Sequence, residues 1–118
     1  MDATIQNLPK TGRVQISVNV SADMNFSAYA ARKRVGRYVA DEISMFLRGG
    51  EPTLVVSDRL YWRVPLLLGI PGRGSLGETG AIDVDVETGQ LRLTSSLIAE
   101  IQYRAKTLAA RPTPSAES

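Results

Sequence analysis

A chain of 118 residues with 43% hydrophobic and 22% charged residues has the size and composition of one globular domain. Cysteine and histidine are both absent, which excludes disulfides, Cys/His zinc sites, a cysteine nucleophile and any histidine general base. A formal charge of +2 does not by itself mark a nucleic-acid binder, although eleven Arg against three Lys favour bidentate contact with carboxylate or phosphate.

Residues 1–11 read as a flexible leader, 12–110 as a single domain and 111–118 as a disordered polar tail. No basic-then-apolar leader and no run long enough to cross a bilayer is present, so a cytoplasmic protein without membrane contact is expected. Val14, Ile16, Val18 and Val20 alternate with Gln15, Ser17 and Asn19, the period of a half-buried strand. A helix is expected over residues 27–48, with Val35, Val39, Ile43, Phe46 and Leu47 on its apolar stripe and Gly49-Gly50 as its stop. Strands are expected at 54–56 and 60–68, with Pro65 marking an edge or a bulge. Residues 69–80 read as a glycine-rich loop. Strands at 81–86 and 90–93 follow, joined by a turn at Glu87-Thr88-Gly89. A last helix, capped by Ser95 or Ser96, carries Leu97, Ile98, Ile101, Ala105 and Leu108 on its apolar face. The fold class is α+β: a mostly antiparallel sheet of about five strands with two helices on one face, in the order β-α-β-β-β-β-α.

Three motifs carry candidate chemistry. Gly72-Arg73-Gly74-Ser75-Leu76-Gly77 is a formal GxGxxG, but it leads into a strand rather than the helix that would hold a pyrophosphate. It reads instead as a hairpin loop, with Arg73 at its tip as a contact residue. Asp83, Asp85 and Glu87 share one strand face, where three carboxylates resemble a Mg²⁺ or Ca²⁺ site. Further oxygen ligands are not identifiable, so the solvated face is the preferred reading, and no cofactor or metal is expected. Arg32, Lys33, Arg34 and Arg37 place four cations in the first half of a helix, where the macrodipole disfavours them. Lys33, Arg34 and Arg37 lie opposite the apolar stripe. Arg32 lies close to it, as an interior ion-pair partner or part of a contact surface. Asp41, four residues after Arg37, is placed to pair with it. Trp62 shares a strand face with Val64 and Leu66 and reads as core. Tyr61 and Arg63 lie on the other face as interface anchors.

Several stretches together carry a resemblance. They are Gly50-Glu51-Pro52-Thr53-Leu54-Val55-Val56, Trp62-Arg63-Val64-Pro65, Pro71, Gly74, Gly77, Gly80, and Asp83-Val84-Asp85-Val86-Glu87-Thr88-Gly89. From about residue 31 to 109 the chain resembles a family of small uncharacterised prokaryotic proteins often encoded beside PIN-domain ribonucleases. The Asp-x-x-Thr-Gly hairpin is also similar to the terminal hairpin of PepSY-type domains. The first resemblance implies an antitoxin-like or accessory partner of such a nuclease, whose carboxylate-lined site would accept a cationic patch.

The expected function is therefore a non-enzymatic protein-binding module. Its partner-binding residues are Arg32, Lys33, Arg34, Arg37, Tyr61, Arg63 and Arg73. The alternatives are a DNA- or RNA-binding regulatory protein that uses the basic helix, and an enzyme that uses the Asp83/Asp85/Glu87 face with a divalent ion. Homodimerisation through an exposed strand edge is left open.

Overall fold

The computed structural model describes Gly12 and residues 19–111. In chain order the elements are helix α1 (Ala28–Glu42), strands β1 (Leu47–Gly49), β2 (Thr53–Val56), β3 (Leu60–Ile70), β4 (Gly74–Asp85) and β5 (Leu91–Arg92), and helix α2 (Ser95–Ala110). The five strands form one antiparallel sheet in the order β1-β3-β4-β5, with β2 also paired to β3. The fold is α+β, as the periodicities predict. Of the strand expected at 14–20, residues 14–18 lie outside the described residues. Asn19 and Val20 are exposed and not in a strand.

Period 2 decides the two faces of the sheet. Val64, Leu66 and Leu68 of β3 join Ile82 and Val84 of β4 in one buried cluster. Leu47 of β1, Ala31, Val35 and Val39 of α1 and Ile101 and Leu108 of α2 complete it. Both helices therefore cover the same face. Trp62 packs against this cluster and donates its indole N–H to the Phe26 carbonyl at 2.9 Å. That bond ties the segment leading into α1 to the central strand.

α1 ends six residues earlier than its apolar stripe predicts. Ser27 caps its start by accepting from the Ala30 amide, and Ile43 is the C-cap. Ser44 then accepts from the Phe46 amide in a tight turn. Leu47-Arg48-Gly49 alternates buried, exposed, buried as β1. The same residues satisfy both periods locally. With Asp41 and Glu42 against the negative end of the macrodipole and no base in the last turn, nothing favours further helix.

Pro65 is not on an edge strand, because β3 is the central strand. Gly49 faces Leu66 and Thr53 faces Arg63, so residues 50–52 oppose only Val64 and Pro65. The edge bulges there, and Pro65 accepts from the Gly50 amide at 2.7 Å. The bulge half of the expectation holds.

The long glycine loop is also corrected. β3 runs on to Ile70, β4 begins at Gly74, and only residues 71–73 turn the chain, closed by the Arg73 amide on the Ile70 carbonyl at 2.9 Å. Two register shifts interrupt the β3–β4 ladder, and glycine absorbs the resulting twist. Gly80 has φ +147°, and a Cβ there would lie 3.1 Å from Ile101 Cγ1. Gly80→Ala is therefore expected to lower stability by about 2 kcal/mol, from backbone strain together with displacement of α2. A denaturant midpoint within error of wild type would refute that assignment. The last helix is capped by Thr94, whose hydroxyl accepts from the Leu97 amide, not by Ser95 or Ser96.

Candidate partner-binding site

The seven residues expected to bind a partner fall into three places. Arg32, Lys33, Arg34 and Arg37 lie on α1. Tyr61 and Arg63 lie on the sheet face away from the helices. Arg73 lies in the β3–β4 turn.

The open sheet face is a lattice of ion pairs. Antiparallel pairing sets Arg63 opposite Asp83 and Tyr61 opposite Asp85. Arg63 grips Asp83 through two bonds of 2.8 and 2.9 Å. Arg59 bridges Asp85 at 2.7 Å and Glu87 at 2.9 Å. Arg92 stacks on the Tyr61 ring, 4.8 Å from its centroid, and reaches Asp58 at 3.8 Å. The face is a shallow open concavity of about 880 Å³. The solvated acidic face expected here is corrected, because the Asp83 and Asp85 side chains are only 13% and 10% exposed under the guanidiniums that hold them. Among the described residues no group of three acids is placed to ligate a metal ion.

Tyr61 was expected as an exposed anchor. It is only 4% exposed, beneath Arg92, and donates its hydroxyl to Asp58 at 3.1 Å. Alternation fixes which face it takes, but not that its neighbours close over it. Burial first, and then the bond to the Asp58 carboxylate, push the phenol above its ordinary value. On Asp58, desolvation acts upward, but hydrogen bonds from Tyr61 and Ser57 and the charge of Arg92 outweigh it and hold the carboxyl below its ordinary range. The folded protein thus keeps the Tyr61 proton at a pH where the unfolded chain has lost it. Its stabilising contribution is complete below the ordinary tyrosine value of about 10 and declines as pH rises through and above it. Melting temperature should therefore fall more steeply above that pH in wild type than in Tyr61→Phe. Parallel curves would contradict the argument.

Arg73 is not a free tip residue. Its guanidinium donates to the Ala109 carbonyl at 2.9 Å and to the Arg111 carbonyl at 2.7 Å, capping the C-terminal end of α2. Arg32 is likewise structural. Its Nε donates to the Gly49 carbonyl at 3.0 Å and Nη1 lies 3.5 Å from Glu51, so it fastens α1 to β1. The interior ion pair expected as one of its two roles is not what is seen, because the Arg32 and Glu51 side chains are 43% and 86% exposed.

Lys33, Arg34 and Arg37 differ from the other four. All three are exposed, and none is ion-paired among the described residues. The pair expected between Arg37 and Asp41 is not made. Lys33 sits over the Tyr29 ring and Arg34 over the Phe26 ring, with centroids at 5.4 and 5.3 Å. These contacts hold the cations in place and leave their charge uncompensated. Because α1 spans only Ala28–Glu42, these cations lie beyond its first turn and Arg37 lies in its second half rather than its first, so the macrodipole bears little on them. Tyr29, 70% exposed, lies at i and Lys33 and Arg37 at i+4 and i+8, giving an aromatic and cationic stripe along one helix face. Sequence reading found the cations but missed Tyr29. The i, i+4 spacing of Tyr29 to Lys33 was the available signal.

No family model matches the sequence, and no curated protein or solved structure matches it either. Among the described residues, no helix is long and apolar enough to cross a membrane.

Proposed function

We propose that this chain is a non-enzymatic protein-binding module, and that its partner presents an acidic surface to the exposed stripe of α1. The observation that carries this reading is the uncompensated charge of Lys33, Arg34 and Arg37, set beside a sheet face whose arginines are engaged with carboxylates. Lys33 and Arg34 lie over aromatic rings and none of the three cations is ion-paired among the described residues, as expected of residues that serve binding rather than folding. Arg32, Tyr61 and Arg73 are set apart from the stripe, because each makes bonds within the fold. Arg63 sits on the other face and is not part of the stripe.

The resemblance in residues 31–109 supplies the partner class: a PIN-type ribonuclease, whose active-site carboxylates suit a cationic helix. The module would then be antitoxin-like or accessory. The test is capture of such a nuclease by wild type and by the R34E/R37E double variant. Reversing two unpaired surface charges should leave melting temperature nearly unchanged and weaken capture at least tenfold, since rim-to-centre charge pairs of this kind carry roughly 1.5 kcal/mol or more. Equal capture by both proteins would remove the stripe from the account. Tight, salt-sensitive binding of duplex DNA or RNA, with no protein captured, would replace this reading with the nucleic-acid one.

A further inference from the structure

The exposed face of α1 is bipolar. Lys33, Arg34 and Arg37 occupy its first ten residues, and Asp41 and Glu42 close it. Among the described residues neither acid is ion-paired, although Arg37 lies one turn from Asp41. The last turn holds both acids and no base, so at that end the side-chain charges add to the macrodipole instead of offsetting it. Arg34, Arg37, Tyr38, Asp41 and Glu42 line one open groove of about 350 Å³. A helix charged in this way is its own complement when a second copy runs antiparallel to it.

We infer that α1 pairs with α1 of a second copy across a two-fold axis that lies at the level of Val39 but on the opposite, exposed side of the helix, Val39 itself being buried in the core. About this axis Arg37 comes level with Asp41 of the second copy, and Arg34 comes close to Glu42. Each contact occurs twice, as an isologous interface requires. The two macrodipoles then oppose each other favourably, and the unmade Arg37–Asp41 pair is made between copies. Tyr38 lies in the same groove, between the cations and the acids. The interface uses the stripe proposed for the acidic partner, so the second copy and the partner compete for it. The dimer nevertheless stands or falls independently of the partner, because only the dimer needs Asp41 and Glu42.

Sedimentation equilibrium of the full-length chain tests this with charge swaps. Wild type should be dimeric at micromolar concentration in low salt and dissociate as salt is added. R34E/R37E and D41K/E42K, each alone, should be monomeric, with Kd raised roughly tenfold or more. Mixed one to one, the two variants should restore a heterodimer, which also shows that neither has simply misfolded. D41K/E42K should still capture the acidic partner, whereas R34E/R37E should not. A monomeric wild type, variants that dimerise like wild type, or a mixture that stays monomeric would each overturn the inference. Loss of partner capture by D41K/E42K would instead count against the partner reading while leaving the dimer standing.

Discussion

Gly89→Ala is expected to be the most destabilising single substitution considered for this protein, by about 3 kcal/mol and roughly 10–20 °C in melting temperature. Two effects add. Gly89 has φ +73°, where a side chain costs about 1–2 kcal/mol. A Cβ there would also overlap the Phe26 ring. The Phe26 main chain is fixed on both sides, so relief must come from turning the ring itself. The Phe26 carbonyl accepts the Trp62 indole at 2.9 Å, the Phe26 amide reaches the Val86 carbonyl at 3.0 Å, and Arg34 stacks on its face. The double variant Phe26→Ala/Gly89→Ala separates the two effects. It should be less destabilised than the sum of the single variants, because the overlap is gone and only the backbone strain remains. Strict additivity would show that the ring plays no part.

Asp85→Ala follows, with a loss of about 2 kcal/mol. Asp85 is 7% exposed. Its carboxylate accepts from the Glu87 amide at 2.8 Å and the Thr88 amide at 3.2 Å, which shapes the turn into β5, and it also holds Arg59 at 2.7 Å. Removing it orphans two partly buried N–H groups at about 1 kcal/mol or more each. The lost ion pair adds little, because the Arg59 side chain is 47% exposed and retains Glu87. Chemical denaturation measures the loss. The same variant should capture the partner as well as wild type at temperatures where it is folded, since Asp85 bonds to the turn amides and Arg59 and not to Lys33, Arg34 or Arg37. Weakened capture by well-folded Asp85→Ala would move the binding surface to the sheet face.

The strands were legible where period 2 ran undisturbed, as in Val64-Leu66-Leu68 and Ile82-Val84. β1 was not, because Leu47 continues the helical spacing of Val35, Val39 and Ile43 while also fitting a short strand. Only the pairing of Leu47 with Leu68 decides it, and that contact is distant in sequence. The glycines of β4 hid a strand for a related reason. Glycine marks both loops and bulged strands, and the sequence does not state which helix will press on Gly80.

The charges followed the same logic. Arg59, Tyr61 and Arg63 alternate on β3 and its approach, while Asp83, Asp85 and Glu87 alternate on β4 and beyond. Folding the hairpin in register matches one set to the other. Read as separate strands they suggested an interface and a solvated acidic face. Read as a hairpin they neutralise each other. The helix cations needed no such long-range knowledge, because their opposition to the apolar stripe follows from 100° per residue alone.

The most direct measurement is a tagged pull-down from the native cell, divided into nuclease-treated and untreated halves, with recovered proteins identified by mass spectrometry. The account predicts a stoichiometric protein with an acidic surface, a PIN-type ribonuclease on the reading proposed here, retained after nuclease treatment and lost with R34E/R37E. Recovery only of nucleic acid, or only of proteins that disappear on nuclease treatment, would contradict it and make the basic helix a nucleic-acid contact.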